Sequence, residues 1–168
     1  IKGLVMNVFH HMWPSLLELG YITSMITPIV KVTLKKNIKS FYTLTEYQDW
    51  INKTKNSKSW KTKYYKGLGT SSAKEAREYF SDIKLNNYIY NEETNDKMSL
   101  AFSKDKSDLR KQWLYNFDEK VILDHKKTEI SIPDFIDREL IHFSNSDTLR
   151  SIGSLYDGLK PSQRKILY

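Results

Sequence analysis

The sequence predicts an α/β fold with mainly parallel strands. Three features of the chain carry this expectation. Apolar residues recur at helical spacing in some stretches and alternate with polar ones in others. The two kinds of stretch follow one another in turn, as they do in α/β sandwiches. The run Lys63-Tyr64-Tyr65-Lys66-Gly67-Leu68-Gly69-Thr70-Ser71-Ser72 reads as a short strand, a glycine turn and a helix start.

Leu4, Val5, Val8, Phe9 and Met12 have helical spacing and should face a core. Pro14 breaks that helix or begins a second short one, and Gly20 suits its end. From Ile29 to Leu34 the period becomes two. Val30, Val32 and Leu34 fall on one side, and Lys31, Thr33 and Lys35 form a basic outer face. Phe41 and Tyr42 suggest a second strand. Thr45 with Gln48 is expected to cap a short helix carrying Tyr47 and Trp50. Asn52 to Ser59 reads as a loop.

Tyr64 and Tyr65 favour an extended backbone, and Gly67 and Gly69 permit torsions denied to other residues. Ser72 with Glu75 forms a capping box, and Ala73, Ala76, Phe80 and Ile83 form the stripe of a helix ending near Asn86. Asn91 to Asp96 reads as a loop. Leu109 and Trp113 mark one side of a helix starting near Asp105. Glu119 to Thr128 is charged and irregular, and a domain boundary is expected there. Ser131, Pro133 and Asp134 are strong helix-start chemistry, with Ile136, Leu140 and Phe143 as the buried stripe. After the turn at Asp157-Gly158 a last helix opens at Pro161.

The chain has 168 residues, 39% hydrophobic and 28% charged, which fits a globular protein able to bury a core. Net charge is +7, and its distribution matters more. Between Lys31 and Lys66 stand ten lysines against two acids, interleaved with aromatic residues. That points to a polyanionic partner, nucleic acid first, with a solvated lysine face as the alternative. With no cysteine, disulfides and thiolate metal sites are excluded. No apolar run approaches the ~20 residues of a membrane span, so no membrane partner is expected. The first residues lack a signal peptide's pattern. A start without methionine and an end inside a growing helix suggest a piece of a longer polypeptide.

Lys63 and Lys66 beside the glycine turn and the positive end of the following helix would make an anion site, phosphate being the usual anion. A turn that only reverses the chain is the alternative. Lys160, Arg164 and Lys165 gather around one helix N-terminus, where cations oppose the dipole unless an anion joins them. Phosphate contact would explain the placement. Arg110 and Lys111 form a second pair beside Trp113, though both are ordinary residues on a helix surface. No hydrolytic or metal set emerges. His10 and His11 point about 100° apart on a helix, which hinders a shared metal. Tyr168 has no surrounding pattern that would make it a nucleophile.

Several motifs in order resemble the cleavage core of eukaryotic-type (type IIA) DNA topoisomerase II. Ile1-Lys2-Gly3-Leu4 resembles the segment after the acidic metal motif of the TOPRIM domain. Ile26-Thr27-Pro28-Ile29-Val30-Lys31-Val32 is similar to a family strand. Lys63 to Ser72, with Glu75, Glu78, Tyr79 and Phe80, resembles the signature closing that domain. Leu100 to Lys104 and Asp108 to Leu114 resemble its C-terminal extension. Phe135 to Phe143, Ser144 to Asp147 and Asp157 to Pro161 resemble the start of the winged-helix DNA-binding domain. Two departures stand out: Ser162 in place of the usual glycine, and Gly153 where proline is common.

The resemblance implies three segments: 1–86 as the end of a Rossmann-like TOPRIM domain, 87–125 as its extension, and 126–168 as the helical start of the winged helix. It implies an ATP-dependent, Mg²⁺-requiring enzyme, a homodimer acting on double-stranded DNA. That enzyme relaxes and decatenates duplexes by transient double-strand breakage and strand passage. Arg110, Lys111 and Lys160 would occupy DNA-contacting positions, Lys66 would lie near the cleavage site, and Arg164 and Lys165 would follow on the next helix. The metal-binding acids, the nucleophilic tyrosine and the ATPase domain would lie outside the chain, which alone should not cleave DNA. The cationic clusters should share one groove. A nuclear enzyme is implied, or a viral one at a replication site. Rival readings are a non-catalytic nucleic-acid-binding module, or another TOPRIM enzyme such as a primase or nuclease.

Overall fold

The computed structural model describes residues 1–65, 68–124 and 127–167. In chain order the elements are α1 (Lys2–Met12), α2 (Pro14–Glu18), β1 (Thr23–Met25), β2 (Val30–Leu34), β3 (Asn37–Phe41) and α3 (Leu44–Lys53). Next come β4 (Lys61–Tyr64), α4 (Ala73–Ser81), β5 (Leu85–Ile89), α5 (Thr94–Phe102) and α6 (Ser107–Tyr115). Last are β6 (Glu129–Ser131), α7 (Ile132–Phe135), a π-helical turn (Ile136–Leu140), α8 (Ile141–Ser151) and α9 (Pro161–Leu167). Packing separates two compact units. The first comprises Ile1–Ile22, Asn87–Asp124 and the described residues from Glu129 onward, and the second Thr23–Asn86 with 127–128.

In the first unit β5 and β6 pair in parallel, Tyr88 opposite Ile130. Tyr88 is buried and meets the ring of Phe135 edge-on at 5.6 Å. Met6, Leu17, Met98, Leu123, Ile132 and Ile136 complete this core. The helix expected at the start is present, but its expected apolar stripe is not the buried one. Leu4, Val5, Val8 and Met12 are exposed, while Gly3 and Met6 face inward and Phe9, alone of the expected stripe, packs against the core. The cause is close approach at Gly3, where an added Cβ would stand 3.2 Å from both Leu140 and Phe102. With apolar residues all round α1, periodicity alone could not choose the inward face.

Local chemistry explains the other helix ends. Pro14 opens α2, and Gly20, at φ 67, closes it. The Tyr21 N–H donates to the Leu16 carbonyl and the Gly20 N–H to Leu17, both at 3.0 Å, the paired bonds of a Schellman end. Ser131 accepts from the Asp134 N–H at the start of α7, as its sequence predicts. The stripe that follows is only partly kept. Ile136 is buried and Leu140 half-buried, but Phe143 is 59% exposed. The π-helical turn at Ile136–Leu140 adds a residue and rotates the next turn outward.

Two expectations near the middle fail. The helix from Ala73 stops at Ser81, not near Asn86, and Leu85–Ile89 is strand. Its Phe80 and Ile83 are exposed. The segment Asn91 to Asp96 is not all loop, since α5 begins at Thr94. Thr94 is buried, and its hydroxyl donates to Asn91 Oδ1 while accepting the Asn91 N–H. That local exchange starts the helix.

In the second unit the strands run β3-β2-β4, both pairs antiparallel, with Val30 opposite Phe41 and Tyr64. The mixed α/β class holds, but this sheet is not the parallel one expected. Only Lys35 and Lys36 separate β2 from β3, and a two-residue connection can join only antiparallel neighbours. Val30 and Val32 are fully buried beneath Phe41, Tyr47, Trp50 and Trp60. The cap of α3 is Thr43, which accepts from the Glu46 N–H, two residues before the expected Thr45.

Candidate nucleic-acid interface

The cations predicted to contact an anion fall into two settings. In the first unit α6 packs against α5 and α8, and α9 also packs against α8. The helices bearing Arg110 and Lys111, and Arg164 and Lys165, thus both border α8. Lys160 directly precedes α9. These residues belong to one compact unit rather than to two.

Their chemistry differs. Arg110 is half-buried, and its Nη1 donates to the carbonyls of Leu100 at 3.0 Å and Ser103 at 2.6 Å. These are carbonyls at the negative end of α5, where a guanidinium is favourable. Nη2 and Nε have no other partner among the described residues. Lys111 is exposed and pairs with Asp108 one turn earlier at 2.7 Å. The Lys111 ammonium, by hydrogen bond and charge, holds that carboxyl below its usual range.

At α9 the Lys160 N–H donates to Gln163 Oε1 at 2.8 Å, closing the helix start. Arg164 Nη2 reaches both oxygens of Asp157, at 2.8 and 2.7 Å. The Leu159 N–H, then Arg164, keeps the Asp157 carboxyl below its ordinary value. Asp157 is therefore an anion that accompanies this cluster. Lys160 and Lys165 are exposed, and their ammonium groups meet no acid among the described residues. The turn before α9 is tightly closed. Gly158 has φ 69, its N–H donates to Ser154 at 2.8 Å, and a Cβ on Gly153 would lie 2.3 Å from the Gly158 carbonyl oxygen. A side chain at Gly153 would force this turn to shift.

In the second unit, Lys66 and Gly67 of the glycine turn lie outside the described residues. Gly69 lies in a short 3₁₀ turn (Leu68–Thr70) without a positive φ. The capping box is present in full: Ser72 Oγ accepts from the Glu75 N–H, and Glu75 Oε2 accepts from the Ser72 N–H at 2.8 Å. The same Oε2 takes Lys63 at 2.8 Å, and Oε1 accepts from the Tyr65 hydroxyl. Burial would raise the Glu75 pKa, but the bonds from Lys63, Ser72 and Tyr65 outweigh it and lower it to about 2. Burial, then Glu75, pushes the Tyr65 hydroxyl well above its ordinary value. The anion at this helix start is the chain's own carboxylate, and it takes up the positive charge of Lys63.

Lys31, expected on a basic outer face, is instead buried at 8% exposure. Its ammonium lies 3.3 Å from Glu78, 3.9 Å from Glu75 and 4.9 Å from the centre of the Tyr79 ring. Burial opposes its charge, and the bond to Glu78 more than compensates, so its pKa rises. Sequence reasoning missed this network because strand register, not composition, brings Lys31 opposite Lys63.

Among the described residues no three His, Asp or Glu side chains converge. His10 bonds Asn95, and His142 bonds the Val121 carbonyl, each at 2.7 Å. No described helix is long and apolar enough to cross a membrane.

Residues 25–148 match the family model of the C-terminal associated domain of TOPRIM. The chain is 48% identical to human DNA topoisomerase 2-alpha and 47% identical to chicken DNA topoisomerase 2-beta. All of this chain is covered in both matches, but only 12% and 11% of those relatives. A crystal structure of the Plasmodium falciparum topoisomerase II DNA-binding, cleavage and re-ligation domain superposes with a TM-score of 0.88 at 46% identity. That match covers all of this chain and 23% of the other. The chain belongs to the family of the C-terminal associated domain of TOPRIM.

Proposed function

We propose that this chain is part of an ATP-dependent, Mg²⁺-requiring type II DNA topoisomerase that acts as a homodimer and passes one duplex through a transient break in another. The observation that carries the reading is the likeness of the whole chain to a topoisomerase II DNA-binding, cleavage and re-ligation domain. The chain's own part is to hold the duplex backbone. Lys160 and Lys165 offer free ammonium groups, Arg110 offers its uncommitted Nη2 and Nε, and Lys111 and Lys66 add charge. Arg164, tied to Asp157, steadies the turn that presents Lys160. Such contacts release counterions and bind without reading sequence.

The assignment of 1–86, 87–125 and 126–168 to TOPRIM, its extension and the winged helix belongs to this proposal. The family match runs across both of those boundaries. A nuclear site of action, or a viral replication site, is part of it too, and the eukaryotic relatives support the former.

Decatenation of interlinked DNA circles by the full-length protein is the test. ATP- and Mg²⁺-dependent release of single circles is expected. DNA binding without any release, at any ATP concentration, would favour a non-catalytic module instead.

A further inference from the structure

Ten lysines fall between Lys31 and Lys66, and the nine that are described differ in what they meet. Lys31 and Lys63 are committed to Glu75 and Glu78. Lys39 rests over Trp50 and Trp60, 5.9 Å from each ring centre. Lys35, Lys36, Lys53, Lys55, Lys58 and Lys61 are exposed, and none pairs with an acid among the described residues.

These six gather at one end of the sheet. Lys35 and Lys36 form the turn between β2 and β3, and Lys61 opens β4 directly opposite Thr33, two residues before Lys35. Trp50 of α3 meets Trp60 at 5.4 Å, which brings the last turn of α3, with Lys53, to the start of β4. Lys58 sits in the short 3₁₀ turn (Ser57–Ser59) between them, and Lys55 just before it. Glu46 is engaged at the other end of α3, where it accepts the Tyr42 N–H, and Glu75 and Glu78 hold Lys31.

Two costs coincide at this end. Uncompensated like charges repel one another in the folded state. Lys35 has φ 54, a left-handed backbone that glycine or asparagine enters more easily. Charge and strain kept together at one hairpin point to a contact that uses them.

We propose that this hairpin end is a second contact for the phosphate backbone of duplex DNA, distinct from the cations of α6 and α9. All six residues are lysines, point charges on long flexible stems, which suit sequence-independent contact with evenly spaced phosphates. An acidic protein segment would call for arginine forks and an apolar anchor, and these six residues supply neither. The inference rests on the DNA-handling reading of the intact protein.

The test compares the full-length protein with Lys35→Ala/Lys36→Ala/Lys61→Ala and with the arginine version of the same triple, on a fluorescent 40-base-pair duplex across potassium chloride concentrations without ATP. The alanine triple should lower the slope of log affinity against log salt by about 2 to 3, while the arginine triple keeps it. Matching melting temperatures would assign the change to charge alone. An unchanged slope in the alanine triple, with Lys160→Ala still lowering it, overturns this contact and leaves the topoisomerase reading standing. If the triple loses binding to polyglutamate and keeps its grip on DNA, the partner is an acidic protein and the proposal fails. Wild-type decatenation, measured separately, tests the topoisomerase reading alone.

Discussion

Lys31 and Lys63 stand directly opposite each other on neighbouring strands, and both ammonium groups converge on the carboxylate of Glu75, at 3.9 and 2.8 Å. One acid thus holds two like charges that the sheet register forces together. It also caps α4 and accepts the Tyr65 hydroxyl. The strand pair and the helix behind it are joined through a single side chain.

Glu75→Gln should therefore destabilise the second unit by about 2 to 4 kcal/mol, because it removes the one charge that Lys63, the Tyr65 hydroxyl and, at longer range, Lys31 share. Glu78, with a side chain 53% exposed, should cost under about 1 kcal/mol when changed to Gln. Urea unfolding of both variants checks the difference, and equal losses would contradict the role given to Glu75.

The same residue sets an acid limit. Its folded pKa of about 2 lies below the ordinary 4.5. The stability it contributes is therefore complete above pH 4.5 and is lost as pH falls towards 2. By linkage the contribution is about 3 kcal/mol. Unfolding free energy measured from pH 6 to pH 2.5 should fall in wild type and fall less steeply in Glu75→Gln. Parallel curves would sink the assignment.

Arg110 and Lys111, adjacent in sequence, should separate on mutation. Arg110→Ala removes two bonds from the end of α5 and should cost about 1 to 2 kcal/mol of stability as well as affinity for DNA. Lys111→Ala breaks only an exposed pair, so its effect on stability should stay within about 0.5 kcal/mol. Melting curves alongside duplex binding distinguish the two. A neutral Arg110→Ala would show that its carbonyl contacts carry no weight.

Gly153→Ala should disturb the turn that presents Lys160, since the new methyl would press on the Gly158 carbonyl oxygen. Backbone cannot yield cheaply, and about 1 to 3 kcal/mol of destabilisation is expected. Thermal unfolding measures it, and an unshifted midpoint would mean the turn opens freely.

Features settled by contacts between sequence neighbours were legible in the chain. Ser72 with Glu75, Ser131 with Asp134, Pro14, Gly20 and the turn at Gly158 all behave as their local chemistry dictates. Features settled by register and tertiary packing were not. The strand β5 was hidden because Asn86 occupies one of its buried positions. Alternation put Lys31 outside, and only its pairing with acids from α4 allows it inside. Arg110 reads from the sequence as a DNA contact or an ordinary surface cation, whereas its bonds to the Leu100 and Ser103 carbonyls at the end of α5 depend on how α6 packs against that helix. The cations of α9 were legible, but the Asp157 bridge that occupies Arg164 was not.

The proposed grip on the duplex backbone is made by exposed lysines of the first unit. Its most direct test is the salt dependence of duplex binding by the full-length protein and its Lys160→Ala variant. The slope of log affinity against log salt should fall by about one, equally for unrelated DNA sequences. An identical slope in the two proteins would mean that Lys160 does not touch the duplex backbone.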